Sequence, residues 1–220
     1  MSQNEQVTVS PVGNPAQLQS YDRKQFYEEQ FAGNHDLAVN VIDILLFTSR
    51  GDIILQKRSH TKAHNPGLLD KSIGGHIVYG DTADYTVMVE SVQELLTPSI
   101  VLKNDADFDK TLSLLKNYTE TISIVKPIET VEWTLNKLHE DSQKPINNVV
   151  HMYFGLYDGR MRPADREAAG MLYYSYENLK REIEQNPTQF TDDLIKMCAK
   201  YDEQILAFQN LVSNNTTHTE

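Results

Sequence analysis

The stretch GGHIVYGDTADYTVMVESVQELL, from Gly74 to Leu96, joins a glycine pair to a predicted helix that carries two carboxylates. Because Gly74 and Gly75 have no side chains, the backbone there can turn tightly and pass close to another group. Asp81-Thr82 offers a cap for a helix that begins near Ala83. We expect this unit of turn and helix to decide both the fold and the site.

The predicted helix has an apolar stripe and an acidic face. The stripe follows i, i+4, i+7 spacing, which predicts that it faces the core. Its members are Met88, Val92 and Leu95. Glu90, Gln93 and Glu94 then fall on the opposite side, one turn apart, where they can converge on one point. Carboxylates that converge suit Mg²⁺ or Mn²⁺, with water and substrate phosphate as further ligands. The alternative is a solvated helix face, on which glutamates commonly have this spacing.

The bulk composition bounds the function. The chain has 220 residues, 40% of them hydrophobic, which suffices for one substantial core. Its net charge of −11 repels phosphate backbones and anionic lipids, so we expect neither a nucleic acid polymer nor a membrane as a partner. Cys198 is the only cysteine, which excludes an internal disulfide and a cysteine-based zinc site and fits a reducing compartment.

The chain reads as one main domain with short flanking segments. Residues 1–36 are expected to form a flexible N-terminal arm and a short helix, 37–212 the domain with a single C-terminal amphipathic helix, and 213–220 a disordered tail. Thr191 is the expected N-cap of that terminal helix. Strand and helix patterns follow one another in an order that predicts an α/β (α+β) fold. No apolar run of about 18 residues and no signal peptide is present, so a cytoplasmic location is expected.

The spacing from Gly75 onward resembles the Nudix box. In that pattern five residues separate a glycine from a glutamate, and seven more precede Arg-Glu and a pair of glutamates. Here five residues separate Gly75 from Asp81, seven more lead to Val89-Glu90, and Glu94 stands at the last glutamate of the pattern. The resemblance implies the Nudix α/β/α sandwich, a mixed β-sheet between helices, with an inserted helix near residues 105–118.

Three positions depart from the box. The family's arginine usually pairs with the first glutamate, but here Val89 and the shorter Asp81 stand at those positions, so both ends of that link are changed. Gln93 stands where the family usually has a metal ligand, and a neutral amide adds no charge to the site. The resemblance therefore implies that Glu90 and Glu94, with Gln93 as a weaker ligand, hold one Mg²⁺ (or Mn²⁺).

The preceding residues, Leu45 to His76, resemble the superfamily branch that contains isopentenyl diphosphate isomerase and relatives of hydrolase type. There, Arg58 and Lys62 match the positions that grip diphosphate, and such a basic pair near carboxylates suits a diphosphate. The alternative is a pair of solvated surface charges. Gly75 and His76 match a Gly-His pair and are expected to bind substrate. The resemblance covers roughly residues 37–205.

Isomerase chemistry is the weakest of the activities that the resemblance suggests. The isomerases have a cysteine just before the Gly-His pair, where this chain has Gly74, and Cys198 lies in the predicted terminal helix. The isomerases' histidine-rich metal site is also incomplete, because the first strand begins LAVNV without a histidine. His60, His64 and His76 lie close together in sequence but fit no compact zinc signature.

The resemblance implies a Mg²⁺-dependent hydrolase of a diphosphate linked to another moiety, such as a nucleoside diphosphate derivative, and a homodimer. Glu90 is the expected general base. The other candidates for that role are Glu140, Asp141 and Glu167. The alternative, which the loss of a ligand at Gln93 suggests, is a Nudix-fold module that binds a nucleotide or a protein without turning it over. The tyrosines of LYYSYENL and Trp133 are expected in the core rather than in a base-stacking platform.

Overall fold

The computed structural model of the chain describes residues 5–161 and 168–214. The strands are β1 (Gln6–Pro11), β2 (Gln19–Asp22), β3 (Leu37–Phe47), β4 (Ile53–Arg58), β5 (Leu69–Asp70), β6 (Ile73–His76), β7 (Ser99–Val101), β8 (Ser123–His139), β9 (Ser142–Leu156) and β10 (Ala168–Tyr174). The helices are α1 (Arg23–Phe31), α2 (Ala83–Leu95), α3 (Asp105–Leu115), α4 (Tyr176–Gln185), α5 (Asp192–Lys200) and α6 (Asp202–Asn214). In this part of the chain no helix is long and apolar enough to cross a membrane.

The described strands form one mixed sheet with the order β10-β4-β3-β9-β8-β7, to which β1, β2, β5 and β6 add at the sides. β3 runs parallel to β9 and β7 parallel to β8, whereas the other pairs are antiparallel. β3 is buried on both faces, and its sequence LAVNVIDILLF is accordingly almost continuously apolar. Asp43 is the acidic exception within that run.

Helices cover both faces of the sheet. One core contains Phe108, Met197 and Phe208 from α3, α5 and α6, packed on one side of the sheet. A second core contains Val87 of α2 together with Ile42 and Ile44 of β3. The predicted mixed sheet between helices is therefore confirmed, and so is the inserted helix near residues 105–118.

The N-terminal segment is not a flexible arm. Val7 and Val9 of β1 are fully buried, and β1 pairs with β3 in an antiparallel register. The short β-branched run VTVS carries this strand, because alternating β-branched side chains pack well on a sheet. The polar residues around that run obscured it in the sequence. The predicted short helix is present as α1, capped by the Asp22 side chain.

The C-terminal region differs from the single predicted helix. It forms α5 and α6, with a break at Tyr201, whose φ and ψ of −107° and 22° leave the helical region. Tyr201 is fully buried, so packing of its ring fixes the break. Thr191 caps α5 as predicted. The predicted disordered tail begins at 213, but α6 continues to Asn214, and residues 215–220 lie outside the described part of the chain.

Candidate active site

A cavity of about 110 Å³ lies beside the glycine pair of β6. β3, β4, β6 and α2 contribute to its wall, as do the β4–β5 loop and residues of α1, β8, β9 and α5. Five of its side chains are basic, although the protein carries a net charge of −11. They are Arg23, Arg58, Lys62, Lys71 and Lys137. Four acidic side chains, Asp43, Asp70, Glu94 and Asp193, line the same cavity, and Arg58 and Lys71 are paired with three of them. Basic side chains therefore outnumber acidic ones by only one, which still favours a small anion over the strongly acidic surface elsewhere.

Of the two box glutamates, Glu94 lines this cavity, whereas Glu90 is not part of its wall and lies over Gly75 beside it. Glu94 is only 5% exposed and lines the cavity together with Gly75. The carboxyl group of Glu90 packs over Gly75 so closely that a Cβ atom at residue 75 would overlap it. The absence of a side chain at Gly75 therefore permits the contact between β6 and α2. Glu90 and Glu94 are about 40° apart around the helix, which explains their common direction.

Gln93 is not brought to the cavity. Its side chain is exposed, and it is absent from the cavity wall. The physical reason is the helical rotation of about 100° per residue, which turns residue 93 away when residue 94 points inward. The structure thus does not bring Gln93 to the cavity, and its expected part in holding a metal ion stays a prediction.

The same rotation corrects the expected apolar stripe. Met88 and Val92 are 40% and 47% exposed, whereas Val87 and Ser91 are buried. Among the described side chains of α2, which leave out Leu95, the buried ones are Thr86, Val87, Ser91 and Glu94. The Ser91 hydroxyl donates to the Val87 carbonyl at 2.7 Å. Because three of these four residues are polar, a search for apolar periodicity selects the wrong face of α2.

α2 ends on a strained residue. Leu96 has a φ of 54° and a ψ of 31°, the left-handed conformation in which helices commonly end. Glycine adopts this conformation without steric cost, whereas a leucine Cβ clashes with the carbonyl that follows. The side chain of Leu96 is 62% exposed, so burial contributes little compensation.

Arg58 and Lys62 both line the cavity, but Arg58 is already engaged. Its guanidinium donates to Asp70 Oδ2 at 3.0 Å and, through Nη2, to the His64 carbonyl at 2.8 Å. These bonds hold the β4–β5 loop against the sheet. Arg58 can therefore contribute positive charge to a bound anion, but direct contact would require it to share or exchange these acceptors.

A buried ammonium group lies at the inner end of the cavity, where Lys71 Nζ contacts three carboxylates. It is 2.6 Å from Asp193, 3.0 Å from Asp43 and 3.4 Å from Asp70. These carboxylates raise the pKa of Lys71 well above its usual range, against the effect of burial. Burial, the largest influence, raises the pKa of Asp43 to about 7, while Lys71 opposes that shift. Burial alone would raise the pKa of Asp193, but Lys71 and Lys137 together with hydrogen bonds to the carboxylate lower it to about 2.

The histidines at the cavity are neutral and do not gather around a zinc ion. His76 Nε2 is 2.9 Å from the Tyr27 hydroxyl, and the ring of His64 stacks on Tyr27 at 4.9 Å. Burial lowers the pKa of His64 to about 3 and the pKa of His76 well below its usual range. His60 is exposed and does not line the cavity.

The donor set at α2 fits one divalent ion and no more. Within residues 5–161 and 168–214, no three histidine, cysteine, aspartate or glutamate side chains are grouped so as to hold a metal. Glu90 and Glu94 offer two carboxylates, so water and ligand phosphate would have to complete an oxygen shell. A cluster of two or three ions, which needs more carboxylates, does not fit.

Two of the three alternative general bases, Glu140 and Asp141, lie away from the cavity. Glu140 and Asp141 form the two-residue turn between β8 and β9, with φ values of 46° and 60°, and Glu140 is largely exposed. The expected polar loop before β9 is thus a tight hairpin turn. Glu167 lies outside the described residues. Trp133 packs against the core, whereas Tyr173 is 49% exposed on β10 and also lies away from the cavity.

Sequence reasoning missed Lys71 and the three aspartates around it. Asp43 did give a signal, because a single acid within the apolar run NVIDILLF must find a partner or lose its charge. Asp70-Lys71 and Asp193 gave none, because charged residues in a loop and in the first turn of a helix are ordinary surface features. Only the folded chain brings these residues together.

No protein-family model matches the chain. An isopentenyl-diphosphate Delta-isomerase of Serratia proteamaculans is 26% identical over 148 residues, which are 67% of this chain and 68% of the isomerase. The structure of DR0079 from Deinococcus radiodurans matches with a TM-score of 0.53 and 18% identity, over 74% of this chain and 82% of that one. The NUDIX domain of Shewanella oneidensis NrtR, crystallised with ADP ribose, matches with a TM-score of 0.49 and 13% identity, over 89% and 99%.

The matches to the isomerase and to DR0079 bear out the resemblance to the Nudix superfamily and its isomerase branch, and the predicted fold. The matches to solved structures bear on the fold alone, because their sequence identities are low. The chemistry of this chain has to be argued from its own site.

Proposed function

We propose that this protein hydrolyses a diphosphate linked to another moiety, with one Mg²⁺ or Mn²⁺ ion. A single observation carries the proposal. The cavity beside Gly75 combines five basic side chains, of which Arg58 and Lys71 are paired with aspartates in its wall, with the buried carboxylate of Glu94, in a protein whose overall charge is strongly negative. Positive charge for phosphate and an adjacent carboxylate for a cation are the two requirements of diphosphate hydrolysis.

The roles follow from position. Lys62 and Lys137 would bind phosphate oxygens, with Arg58 adding charge from its fixed position beside Asp70. Glu94 and Glu90 would hold the divalent ion, which when bound polarises a phosphoryl oxygen and lowers the pKa of water. Glu90, on the same side of α2, would orient the attacking water as general base. Gln93 has no role in this assignment because its side chain faces solvent.

The geometry at Gly74 argues against isomerase chemistry. A Cβ atom at this position would lie 2.5 Å from Lys71 Cε, which no ordinary packing permits. The cysteine that the isomerases have before the Gly-His pair would therefore displace Lys71 from its three carboxylates. The polar cavity of this chain is built around Lys71 instead.

A second candidate function is binding without turnover, which the small donor set favours. Two carboxylates hold a divalent ion less firmly than a larger acidic cluster does, so a bound diphosphate compound could remain intact. Such a module would bind a nucleotide in the same cavity. The homodimer and the cytoplasmic location stay predictions under either function.

The test is release of phosphate or pyrophosphate from a panel of diphosphate compounds, with Mg²⁺ and with Mn²⁺. The panel contains nucleoside triphosphates, dinucleotide cofactors, ADP-ribose and prenyl diphosphates. Glu94→Gln removes the buried carboxylate, and Gln93→Ala, on the exposed side of the same helix, is the matched control. We expect Glu94→Gln to lower kcat by about 100-fold or more and Gln93→Ala to leave it nearly unchanged.

The outcomes separate the two functions. Release that needs Glu94 but not Gln93 supports the hydrolase and identifies its substrate class. Calorimetric binding of ADP-ribose without any release supports the binding module. A folded protein that neither binds nor cleaves any member of the panel refutes both.

A further inference from the structure

Each of two carboxylates at the inner end of the cavity has only one of its two oxygens hydrogen-bonded within the part of the chain that the structure describes. Asp43 Oδ1 and Asp193 Oδ2 accept from Lys71 Nζ, at 3.0 and 2.6 Å. Their other oxygens, Asp43 Oδ2 and Asp193 Oδ1, are buried and have no hydrogen-bond partner among the described residues. Both residues line the cavity. We call this pair the acceptor floor.

Asp70 shows that the arrangement is not a general shortage of donors. It touches the same ammonium group, yet its Oδ1 accepts from the Thr191 hydroxyl at 2.8 Å and from the Lys71 amide at 2.9 Å. Its Oδ2 accepts from Arg58 at 3.0 Å. Buried polar atoms in native proteins are almost always paired, so the two unpaired oxygens of the acceptor floor point to donors supplied by a ligand.

The charge balance indicates which donor fits. Lys71 and Arg58 face three carboxylates, so the group carries one excess negative charge when all are ionised. Burial raises the pKa of Asp43 to about 7, so near neutral pH this carboxyl exists both with and without its proton. A hydroxyl group donates to the ionised form and accepts from the protonated form, whereas an ammonium group suits only the ionised one.

We propose that the acceptor floor binds a hydroxyl group on the organic part of the diphosphate ligand. The inference rests on the proposed function of the cavity as a diphosphate site and names the class of its substrate. A site built to bond a hydroxyl strongly rejects the analogue that lacks it, because its buried acceptors are then left unpaired. Compounds with hydrocarbon chains, such as prenyl diphosphates, are the wrong class for this cavity.

The test uses two ligands that differ by one hydroxyl group, dimethylallyl diphosphate and 4-hydroxy-3-methylbut-2-enyl diphosphate. Each is titrated calorimetrically into the full chain with Ca²⁺ as the counter-ion, next to inorganic pyrophosphate. We expect the hydroxylated compound to bind about 10- to 100-fold more tightly, which is the strength of one hydrogen bond to a charged group. Asp43→Leu and Asp193→Leu, which remove the carboxylate oxygens and leave no amide that could donate to the hydroxyl in their place, should each bring the ratio of the two dissociation constants toward one.

Asp70→Leu is the matched control, because Asp70 also contacts Lys71 but both of its oxygens are bonded within the protein. It should leave the ratio unchanged. Equal affinity of the wild-type protein for the two compounds overturns the inference and leaves the diphosphate site standing; this comparison needs no variant to fold. If none of the three probes binds, the cavity is not a diphosphate site and both proposals fail.

Discussion

The raised pKa of Asp43 predicts how the stability of the variant Asp43→Asn differs from that of the wild-type protein as the pH changes. The pKa of Asp43 rises from an ordinary value of 3.8 to about 7, mainly because of burial, with Asp193 and Asp70 adding to the rise and Lys71 opposing it. A raised carboxyl pKa means that the folded protein holds the proton more tightly than the unfolded chain. Its stabilising effect is complete below pH 3.8 and is lost as the pH rises through about 7.

The magnitude follows from the size of the shift. About three pKa units correspond to about 4 kcal/mol of unfolding free energy, which wild-type protein loses between pH 4 and pH 8 through this one group. Asparagine resembles the protonated carboxyl and cannot ionise. The difference in unfolding free energy between Asp43→Asn and wild type should therefore grow in favour of the variant by up to about 4 kcal/mol from pH 4 to pH 8.

Urea unfolding at intervals of one pH unit from 4 to 8 measures the difference between the two proteins. The range starts at pH 4 so that Asp193, whose pKa is lowered to about 2, stays ionised throughout. Parallel curves with a constant difference would refute the reasoning, because they would mean that Asp43 is ionised across the whole range and that Lys71 fully compensates its burial.

Three further predictions test the description of α2 and of its contact with β6. Val87→Ala should lower the unfolding free energy by about 2 kcal/mol and Val92→Ala by less than about 0.5, because only Val87 is buried; the reverse order in urea unfolding would restore the predicted apolar stripe. Leu96→Gly should raise the free energy of unfolding by about 1 kcal/mol, because it relieves the left-handed strain, and should raise the melting temperature with it. A lower melting temperature would contradict this prediction. Gly75→Ala should lower the free energy of unfolding by about 1–3 kcal/mol, because the new methyl group overlaps Glu90. Gly80→Ala is the control for crowding, because no atom lies near a Cβ at residue 80; it does not control for the positive φ of Gly80.

Much of the fold was predictable from sequence patterns. The glycine pair, the capped helix and the alternation of strands predicted a mixed sheet between helices, because backbone conformation and hydrophobic period act locally. Thr191 as a helix cap was found for the same reason. β1 was missed because its four β-branched and small residues stand among polar neighbours, and only pairing with β3 makes them a strand.

The site was harder to predict than the fold. Arg58, Lys62, Gly75, His76 and Glu94 all line the cavity, and the resemblance to the Nudix box and to the isomerase branch indicated them. The rotation of α2 was not available from its own sequence, because it depends on the close contact between Glu90 and Gly75. A helix whose inner face carries Ser91 and Glu94 looks amphipathic in the wrong direction until β6 is placed against it.

The partners of Lys71 have a consequence for how the protein assembles. They come from β3, β5 and α5, and Lys71 is separated from Asp193 by 122 positions. Such a distant contact forms late in folding, after the loop between its ends has closed. Until α5 packs against the sheet, the ammonium group of Lys71 lacks the carboxylate of Asp193 as a counter-charge. Loosening of the C-terminal helix and loss of the cavity should thus be one cooperative event, so that hydrogen exchange in α5 reports on the integrity of the site.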